Sequence, residues 1–575
     1  MSHDARGGRV PAGIPSIHNV SDALSKLGTL PELWMAASVC IAFAAVSSWV
    51  LLVSLLAVDL PEEPGFYGRL LTKALVFTAL GVVCALRLRR SARLFSVDDS
   101  VRIPDPPRIR RPMLLLFVVL ALVAALVFPN LDVFPWTGPD ELHHLIVSRN
   151  LAEHAAYASG HTDSGFHYFD AYDSVGAPLI ASAAGLFRLY GTDYVLARIL
   201  MGCSYLVLCV LIFICFRSSF GDLAALFAVV MTTLSFGSIY LARAYYGEVP
   251  AMMFFMGGLL LWRHSIRRPD RRAIAFFAGI CFGLAVLTKS FMLLVGCAFA
   301  IVFIYDRLTY RRIALQGVLI TASGLLVTLA AWYAIEYRYR HLIAEDGSII
   351  MHYRHYLMFG LHSVGTGARW FLERPALTLI GAIAFIWVAP RIARHRYDPA
   401  MLVLLLTAVL FLFWWVFYTP ARIPRYLWYT CAIGGMFSGV VLSEALSRAM
   451  QNRASITHRV AAAALAGFVV AGGLWQAAPD IARVYAHDQM TDELGLAEFL
   501  RDSPPETTVA TTYWGAARAM NFLADRSIPI FDDPREALRE FDLVIMDSLT
   551  QTIPPELLSE EEHIGRYVIL RGGQG

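Results

Sequence analysis

Long apolar runs recur along most of this 575-residue chain and limit most strongly what it can fold into. A helix that crosses the hydrocarbon core of a bilayer needs about 20 apolar residues. The thirteen candidate spans lie near residues 33–59, 69–88, 112–129, 193–216, 220–237, 249–265, 273–288, 291–306, 312–335, 371–390, 400–418, 426–446 and 459–477. Only 16% of the residues are charged, against about 25% in a typical soluble protein. The sequence therefore predicts an all-α polytopic membrane protein.

Other classes of protein fit the composition poorly. All eight cysteines lie within apolar runs, which argues against a disulfide framework and against a cysteine-ligated metal site. The net charge is only +3, and no basic block with interleaved aromatic residues suggests binding to nucleic acid. The first apolar run is too long for a signal peptide, so we expect it to remain as an anchor.

The distribution of Lys and Arg predicts the orientation of the chain. Basic loops such as "RLRRSAR", "RHSIRRPDRR" and "DRLTYRR" all fall on one side of the predicted spans, and that side is expected to be cytoplasmic. We therefore predict a cytoplasmic N-terminal tail over 1–32, a transmembrane module over 33–479 with outer loops 130–192 and 336–370, and an extracytoplasmic C-terminus. Frequent Arg and Ala favour the inner membrane of a bacterium.

The chain changes character after about residue 480. The stretches "TTVATTY", "SIPIF", "DLVIM" and "RYVILR" are typical of strands, and "DELGLAEFLRD" and "GAARAMNFLADR" are typical of helices. We predict a small extracytoplasmic α/β domain over 480–575. It contains neither a GxGxxG fingerprint nor a P-loop.

An acidic helix start follows the third predicted span. In "PDELHHLIVSRNLAEH", residues 139–154, Asp140, Glu141, His144 and Ser148 share roughly one helix face. One interpretation is structural, because Pro139 suits the first turn and carboxylates there stabilise the helix dipole. That interpretation leaves the position of the two carboxylates, at the mouth of a membrane bundle, unexplained.

Four motifs in order make the chain resemble the GT-C glycosyltransferases, which include the protein O-mannosyltransferases and the lipid A aminoarabinose transferases. They are the "DE" helix, "GAPLIASAAGLFRLYGTDYVLARIL", "GICFGLAVLTKSFMLLVG" and "ARIPRYLWYTCAIGGMF", and they cover about 112–450. The resemblance implies transfer of a sugar from a polyprenyl-phosphate donor to a lipid, glycan or protein acceptor at the outer face of the bilayer.

The resemblance also implies roles for the acidic residues. Asp140 would be the general base that takes the proton of the acceptor hydroxyl, and Glu141 would orient it. A second acidic residue in the same loop would be Asp173, with Asp170 as the alternative, although exposed loop carboxylates fit equally well. The nearby "RAYYGEVP" turn adds Arg243, a candidate for the donor phosphate, and Glu248, where related proteins often have Asp.

Cations are needed where negative charge develops on the leaving phosphate. Lys289 lies in the apolar stretch "LAVLTKSFMLL", where a charge is costly unless it is paired or reaches the interface. Arg425, with Tyr426 beside it, is the second candidate, and Arg422 is a third, because Arg suits phosphate oxygens. The alternative interpretations are a lysine at a helix end and ordinary interfacial arginines.

No cofactor is predicted. A divalent metal held by Asp140 with His143 or His144 is an alternative that we do not favour, because adjacent helix residues point in different directions and no HExxH motif is present. Two further hypotheses differ in class: a transporter or flippase of polyprenyl-linked glycans, and a non-catalytic membrane scaffold. A transporter would often show inverted repeats and a charged path through the membrane, and we find no repeat.

Overall fold

The computed structural model describes residues 111–135, 138–162, 165–168, 175–339, 375–390, 398–418, 424–449, 456–486, 491–548 and 561–572, together with 392, 551, 553 and 557. All of them belong to one compact unit, Pro104–Gly575. The candidate spans near 33–59 and 69–88 and most of the loop 336–370 lie outside the described residues.

Helices make up the first part of the described chain. They are α1 (Pro112–Val127), α2 (Pro139–His154), α3 (Ala177–Tyr190), α4 (Tyr194–Phe220), α5 (Asp222–Thr233), α6 (Ser238–Arg243), α7 (Glu248–Arg267), α8 (Arg272–Thr288), α9 (Leu294–Thr309), α10 (Leu315–Arg338), α11 (Pro375–Pro390), α12 (Pro399–Tyr418), α13 (Trp428–Ala449) and α14 (Ile456–Val484). Short 3-10 turns, Ser290–Leu293 and Pro424–Leu427, precede α9 and α13.

Six helical segments among the described residues are long and apolar enough to cross a membrane. They are Tyr194–Phe220, Ser290–Thr309, Leu315–Arg338, Pro399–Val416, Arg425–Ser447 and Arg459–Val484. The helices α1, α5 and α8 are apolar but shorter, although the sequence predicted spans there. The count of thirteen spans therefore stays a prediction.

The outer loop predicted over 130–192 contains two helices, α2 and α3, which pack against each other. Proline in the first turn starts each of them. A hairpin of β1 (Ala158–His161) and β2 (Gly165–Tyr168) lies between them in sequence; the sequence analysis did not predict it.

The apolar helices pack into a bundle in which α8 lies between α7 and α10, and α13 contacts α5, α11 and α14. At the C-terminal end of α7, Arg263 forms an ion pair with Asp398 at 2.6 Å, and Ser219 donates to the same carboxylate oxygen at 3.0 Å. This buried contact joins α4, α7 and the start of α12 at that end of the bundle.

The tail contains a four-stranded sheet. Its elements are α15 (Thr491–Asp502), β3 (Val509–Thr511), α16 (Trp514–Leu523), α17 (Pro534–Glu540), β4 (Leu543–Asp547), β5 (Glu561–Ile564) and β6 (Tyr567–Arg571). The strand order is β3-β4-β6-β5, with β3 and β4 parallel and the other neighbours antiparallel. Ala510, Val544 and Val568 are fully buried in its core. The helix α16 packs on α2 of the membrane module.

Candidate active site

The start of α2 places two neighbouring carboxylates in different surroundings. Asp140 is partly accessible, with a side-chain exposure of 36%, whereas Glu141 is fully buried. Consecutive residues on a helix point about 100° apart, so these two side chains cannot face the same surroundings. A Cβ added at Gly138 would lie 2.6 Å from the Tyr246 hydroxyl, so the start of α2 packs closely on Tyr246.

Four side chains from distant parts of the sequence form a cluster of alternating charge, called here the charge cluster: Asp140, Arg425, Glu248 and Lys289. Arg425 donates to Asp140, its Nε lies 3.8 Å from Glu248 Oε1, and the same oxygen lies 3.4 Å from Lys289 Nζ. Glu248 and Lys289 are fully buried, so Asp140 is the member of the cluster most open to solvent.

The backbone explains how Lys289 reaches this position. It is the extended residue that ends α8, and the Gly176 N–H donates to the Thr288 carbonyl at 3.2 Å. A Cβ at Gly176 would lie 1.8 Å from the Leu287 carbonyl oxygen. Only glycine therefore permits the chain before α3 to approach the end of α8 so closely.

Aromatic rings surround the two cations. The Arg425 guanidinium lies 4.6 Å from the Tyr246 ring centroid and 5.2 Å from that of Tyr426. Lys289 Nζ lies 5.8 Å from the Tyr426 ring and 5.7 Å from the Phe291 ring. Such contacts stabilise desolvated cations, in addition to the ion pairs with Glu248 and Asp140.

The charge cluster sets the protonation of two groups on α2. Burial raises the pKa of Asp140, but the positive charges of Arg425, Lys289 and Arg518 outweigh it, and the net pKa lies below its usual value. Burial, and then the neighbouring charges, hold the pKa of His144 well below its usual range. Asp140 is therefore ionised and His144 neutral near neutral pH.

Glu141 does not join the charge cluster. Its two oxygens accept from Arg198 Nε at 3.0 Å and Nη2 at 3.1 Å, and the Tyr245 N–H donates to it at 2.9 Å. Arg198 also donates to the carbonyls of Leu131 and Pro135. These contacts tie α2 to α4 and favour a structural role over the predicted orientation of Asp140.

Arg243, predicted to bind the donor phosphate, also lies apart from the charge cluster. Its guanidinium donates to backbone carbonyls at the end of α1 and in the segment that follows. These acceptors are Leu126, Val127, Pro129, Asn130 and Phe134. A guanidinium has five N–H donors, so the contacts with these carbonyls favour a structural role for it.

The remaining predicted residues are only partly described. Asp170, Asp173 and Arg422 lie outside the described residues. His144 is buried, and neither of its ring nitrogens has a hydrogen-bond partner among the described residues. Within the same residues no three His, Cys, Asp or Glu side chains are arranged to hold a metal. A site that works without a metal stays a prediction.

Comparison with known proteins finds a matching family model and solved structures of similar fold. The family model described as dolichyl-phosphate-mannose-protein mannosyltransferase matches residues 177–334. The crystal structure of ArnT from Cupriavidus metallidurans bound to undecaprenyl phosphate has a TM-score of 0.55 at 15% identity and covers 81% of this chain and 99% of its own. Over residues 177–334 the chain is similar to that mannosyltransferase family, and it shares the fold of ArnT. The resemblance noted in the sequence is thereby confirmed.

Other comparisons add little. The apo structure of the same ArnT has a TM-score of 0.54 at 14% identity and covers 80% of this chain and 97% of its own. The oligosaccharyltransferase of Archaeoglobus fulgidus reaches only 0.48 at 14% identity, covering 75% of this chain and 68% of its own. No curated protein matches the sequence.

The tail contributes a residue to the site that the sequence did not predict. Arg518 on α16 donates to the Pro139 carbonyl at 3.3 Å, directly before Asp140. Farther along α2, Arg149 donates to the Asn521 backbone and side-chain oxygens at 2.8 Å each. Arg149 belongs to the "DE" motif that carried the resemblance, but no local signal marks Arg518.

Proposed function

We propose that this chain transfers a sugar from a polyprenyl-phosphate donor to an acceptor hydroxyl at the extracytoplasmic face of a bacterial inner membrane. The observation that carries the proposal is the charge cluster, which places a partly exposed, ionised carboxylate beside two desolvated cations. The ArnT structure that resembles this chain has undecaprenyl phosphate bound, which supports a donor of this kind.

In the proposed reaction the donor phosphate meets Lys289 and Arg425. The acceptor oxygen forms a bond to the anomeric carbon, and the bond between that carbon and the phosphate oxygen breaks. The proton of the hydroxyl passes to Asp140, and the electron pair leaves with the polyprenyl phosphate, whose added charge the two cations stabilise.

Arg425 connects the two halves of this reaction because it pairs with Asp140 in the structure. A phosphate that draws the guanidinium toward itself weakens that ion pair. Asp140 then loses the contact that lowers its pKa most, and it becomes a stronger base when the donor is in place.

The location of the charges distinguishes this proposal from a transporter. Glu248 begins α7 and belongs to the charge cluster, whereas Arg263 and Asp398 form a buried ion pair near the other end of the same helix. Along α7 these two ion-pair groups are therefore separate, and each is joined by its own contacts. A transporter would be expected to line a path with charges reachable from both sides.

The experiment compares envelope glycans by mass spectrometry in cells that lack the protein and in cells complemented with a variant. We expect the wild-type chain to restore a missing sugar, Asp140→Asn to fail, and the control Asp132→Asn, at an exposed carboxylate outside the cluster, to restore it. Full restoration by Asp140→Asn at equal protein level would refute the assignment of the base.

A further inference from the structure

An exposed indole stands at the start of α16, the helix that packs on α2. Trp514 is 45% exposed, although most residues of that helix are buried. The buried ones are Gly515, Ala516, Ala517 and Ala519 to Leu523. Its ring lies 6.1 Å from that of Tyr513. A single exposed aromatic side chain is common on protein surfaces, so the case for a binding surface depends on where this one lies.

The position of this surface is fixed relative to the reacting carboxylate. The Arg518 guanidinium lies over the Trp514 ring at 4.9 Å from its centroid, and its Nη1 donates to the Pro139 carbonyl. One side chain therefore joins the indole to the residue before Asp140. The Arg518 charge also acts on Asp140 and lowers its pKa, so the indole, the guanidinium and the carboxylate are successive neighbours.

Several contacts hold α16 against α2, so this geometry does not depend on Arg518 alone. Arg149 is held by Asn521 and by Asp525 Oδ1 at 3.0 Å, and Phe187 of α3 packs against Phe522 with ring centroids 6.5 Å apart. The surface is consequently a preformed part of the site.

We propose that Tyr513, Trp514 and Arg518 form an acceptor subsite that binds a glycan, one sugar residue beyond the one that is glycosylated. This inference rests on the proposed function and selects among its acceptor classes. An indole offers an apolar face for the C–H groups of a sugar ring, and a guanidinium and a phenol offer polar groups for its hydroxyls. Binding sites commonly combine an aromatic wall with a few such polar groups.

The other acceptor classes fit this surface less well. The acyl chains of a lipid need a continuous apolar surface, whereas here a single indole stands between a guanidinium and a tyrosine. An extended peptide is commonly recognised through main-chain hydrogen bonds to a strand edge, and this surface is formed by the start of a helix.

The test measures sugar binding separately from catalysis. Full-length protein carrying Asp140→Asn, in detergent, is titrated with methyl α-D-mannopyranoside, methyl β-D-glucopyranoside and methyl β-D-galactopyranoside, and saturation transfer to the sugar C–H protons is recorded by NMR. We expect at least one glycoside to bind, Trp514→Ala to weaken it up to about tenfold, and Trp514→Phe to retain most of the binding.

Trp475 provides the matched control, because it is 79% exposed and lies on α14. Trp475→Ala should leave saturation transfer unchanged. Equal signals from Trp514→Ala and Trp475→Ala would overturn the subsite, as would the lack of binding by all three glycosides. Binding of a Ser/Thr-rich peptide probe in place of the sugars, sensitive to Trp514→Ala, would overturn the glycan class.

These outcomes remain distinguishable from failure of the proposed function. If Asp140→Asn retains full transfer in cells while sugar binding depends on Trp514, the base assignment fails and the subsite stands. If Asp140→Asn abolishes transfer while no variant alters sugar binding, the subsite fails and the base assignment stands. In active protein, Trp514→Ala should raise the acceptor KM and leave the donor KM unchanged.

Discussion

Replacement of Glu141 by alanine should destabilise the protein strongly, whether or not Glu141 takes part in chemistry. The change removes both carboxylate contacts of a fully buried guanidinium, Arg198. Breaking a buried ion pair by removing one partner typically costs about 3–5 kcal/mol. The Tyr245 N–H also loses its acceptor, and an unsatisfied buried donor costs a further ~1–3 kcal/mol. We expect Glu141→Ala to unfold at a clearly lower temperature in detergent and to accumulate poorly.

The double variant Glu141→Leu/Arg198→Met separates structure from catalysis. Apolar side chains of similar size can replace a buried ion pair at little cost, although two carbonyls, those of Leu131 and Pro135, lose their donor. We expect the double variant to regain most of the unfolding temperature that Glu141→Ala loses in detergent, and to regain glycan transfer as well.

Two results would refute this reasoning. A stability of Glu141→Ala within about 1 kcal/mol of wild type would show that the ion pair contributes little. Recovery of stability in the double variant without recovery of transfer would assign Glu141 a chemical role, as the sequence analysis predicted. Asp132→Asn again serves as the matched control for removal of a carboxylate.

Three further predictions concern other residues of the site. Because the pKa of Asp140 lies below its usual value, kcat/KM should fall only as the pH drops through that low pKa. Arg518→Gln should move this acid limb of the pH profile to higher pH, whereas Arg518→Lys should not. An acid limb that does not move in Arg518→Gln would contradict the assignment of the limb to Asp140. Arg243→Lys should destabilise the protein by at least about 2 kcal/mol in thermal unfolding without raising the donor KM of the folded fraction, and a raised KM would instead support phosphate binding. Gly176→Ala should abolish most glycan transfer because the added Cβ would lie 1.8 Å from the Leu287 carbonyl oxygen. The control Gly185→Ala, with open space around the added atom, should be active. Equal transfer activity of the two variants would contradict the close contact at Gly176.

The sequence predicted the positions of helices better than it predicted contacts between side chains. Helical patterns over 140–155 and 176–190 correspond to Pro139–His154 and Ala177–Tyr190 in the structure. Proline at a helix start and apolar periodicity are local signals, and they depend little on the rest of the fold. The lengths of α1 and α5 were overestimated because an apolar run continues past the point where the helix ends.

The site was predicted in part. Asp140, Lys289 and Arg425 each begin or end a helix on the same predicted side of the membrane, so the order of the spans was enough to suggest that they meet. The partners of Glu141 and Arg243 could not be predicted, because the direction of a side chain depends on packing and not on its place in a motif. Arg518 is 379 residues from its partner, and nothing in its local sequence indicates that contact.

The attachment of Arg149 has a consequence for chimeric proteins. Its guanidinium is almost fully enclosed, and its acceptors all come from the segment Asn521 to Asp525. If the C-terminal region were exchanged for that of a relative, Arg149 would lose its acceptors unless α2 were exchanged as well. We therefore expect recombination between α2, which bears Asp140, and the distant tail to be tolerated only when both segments come from the same parent.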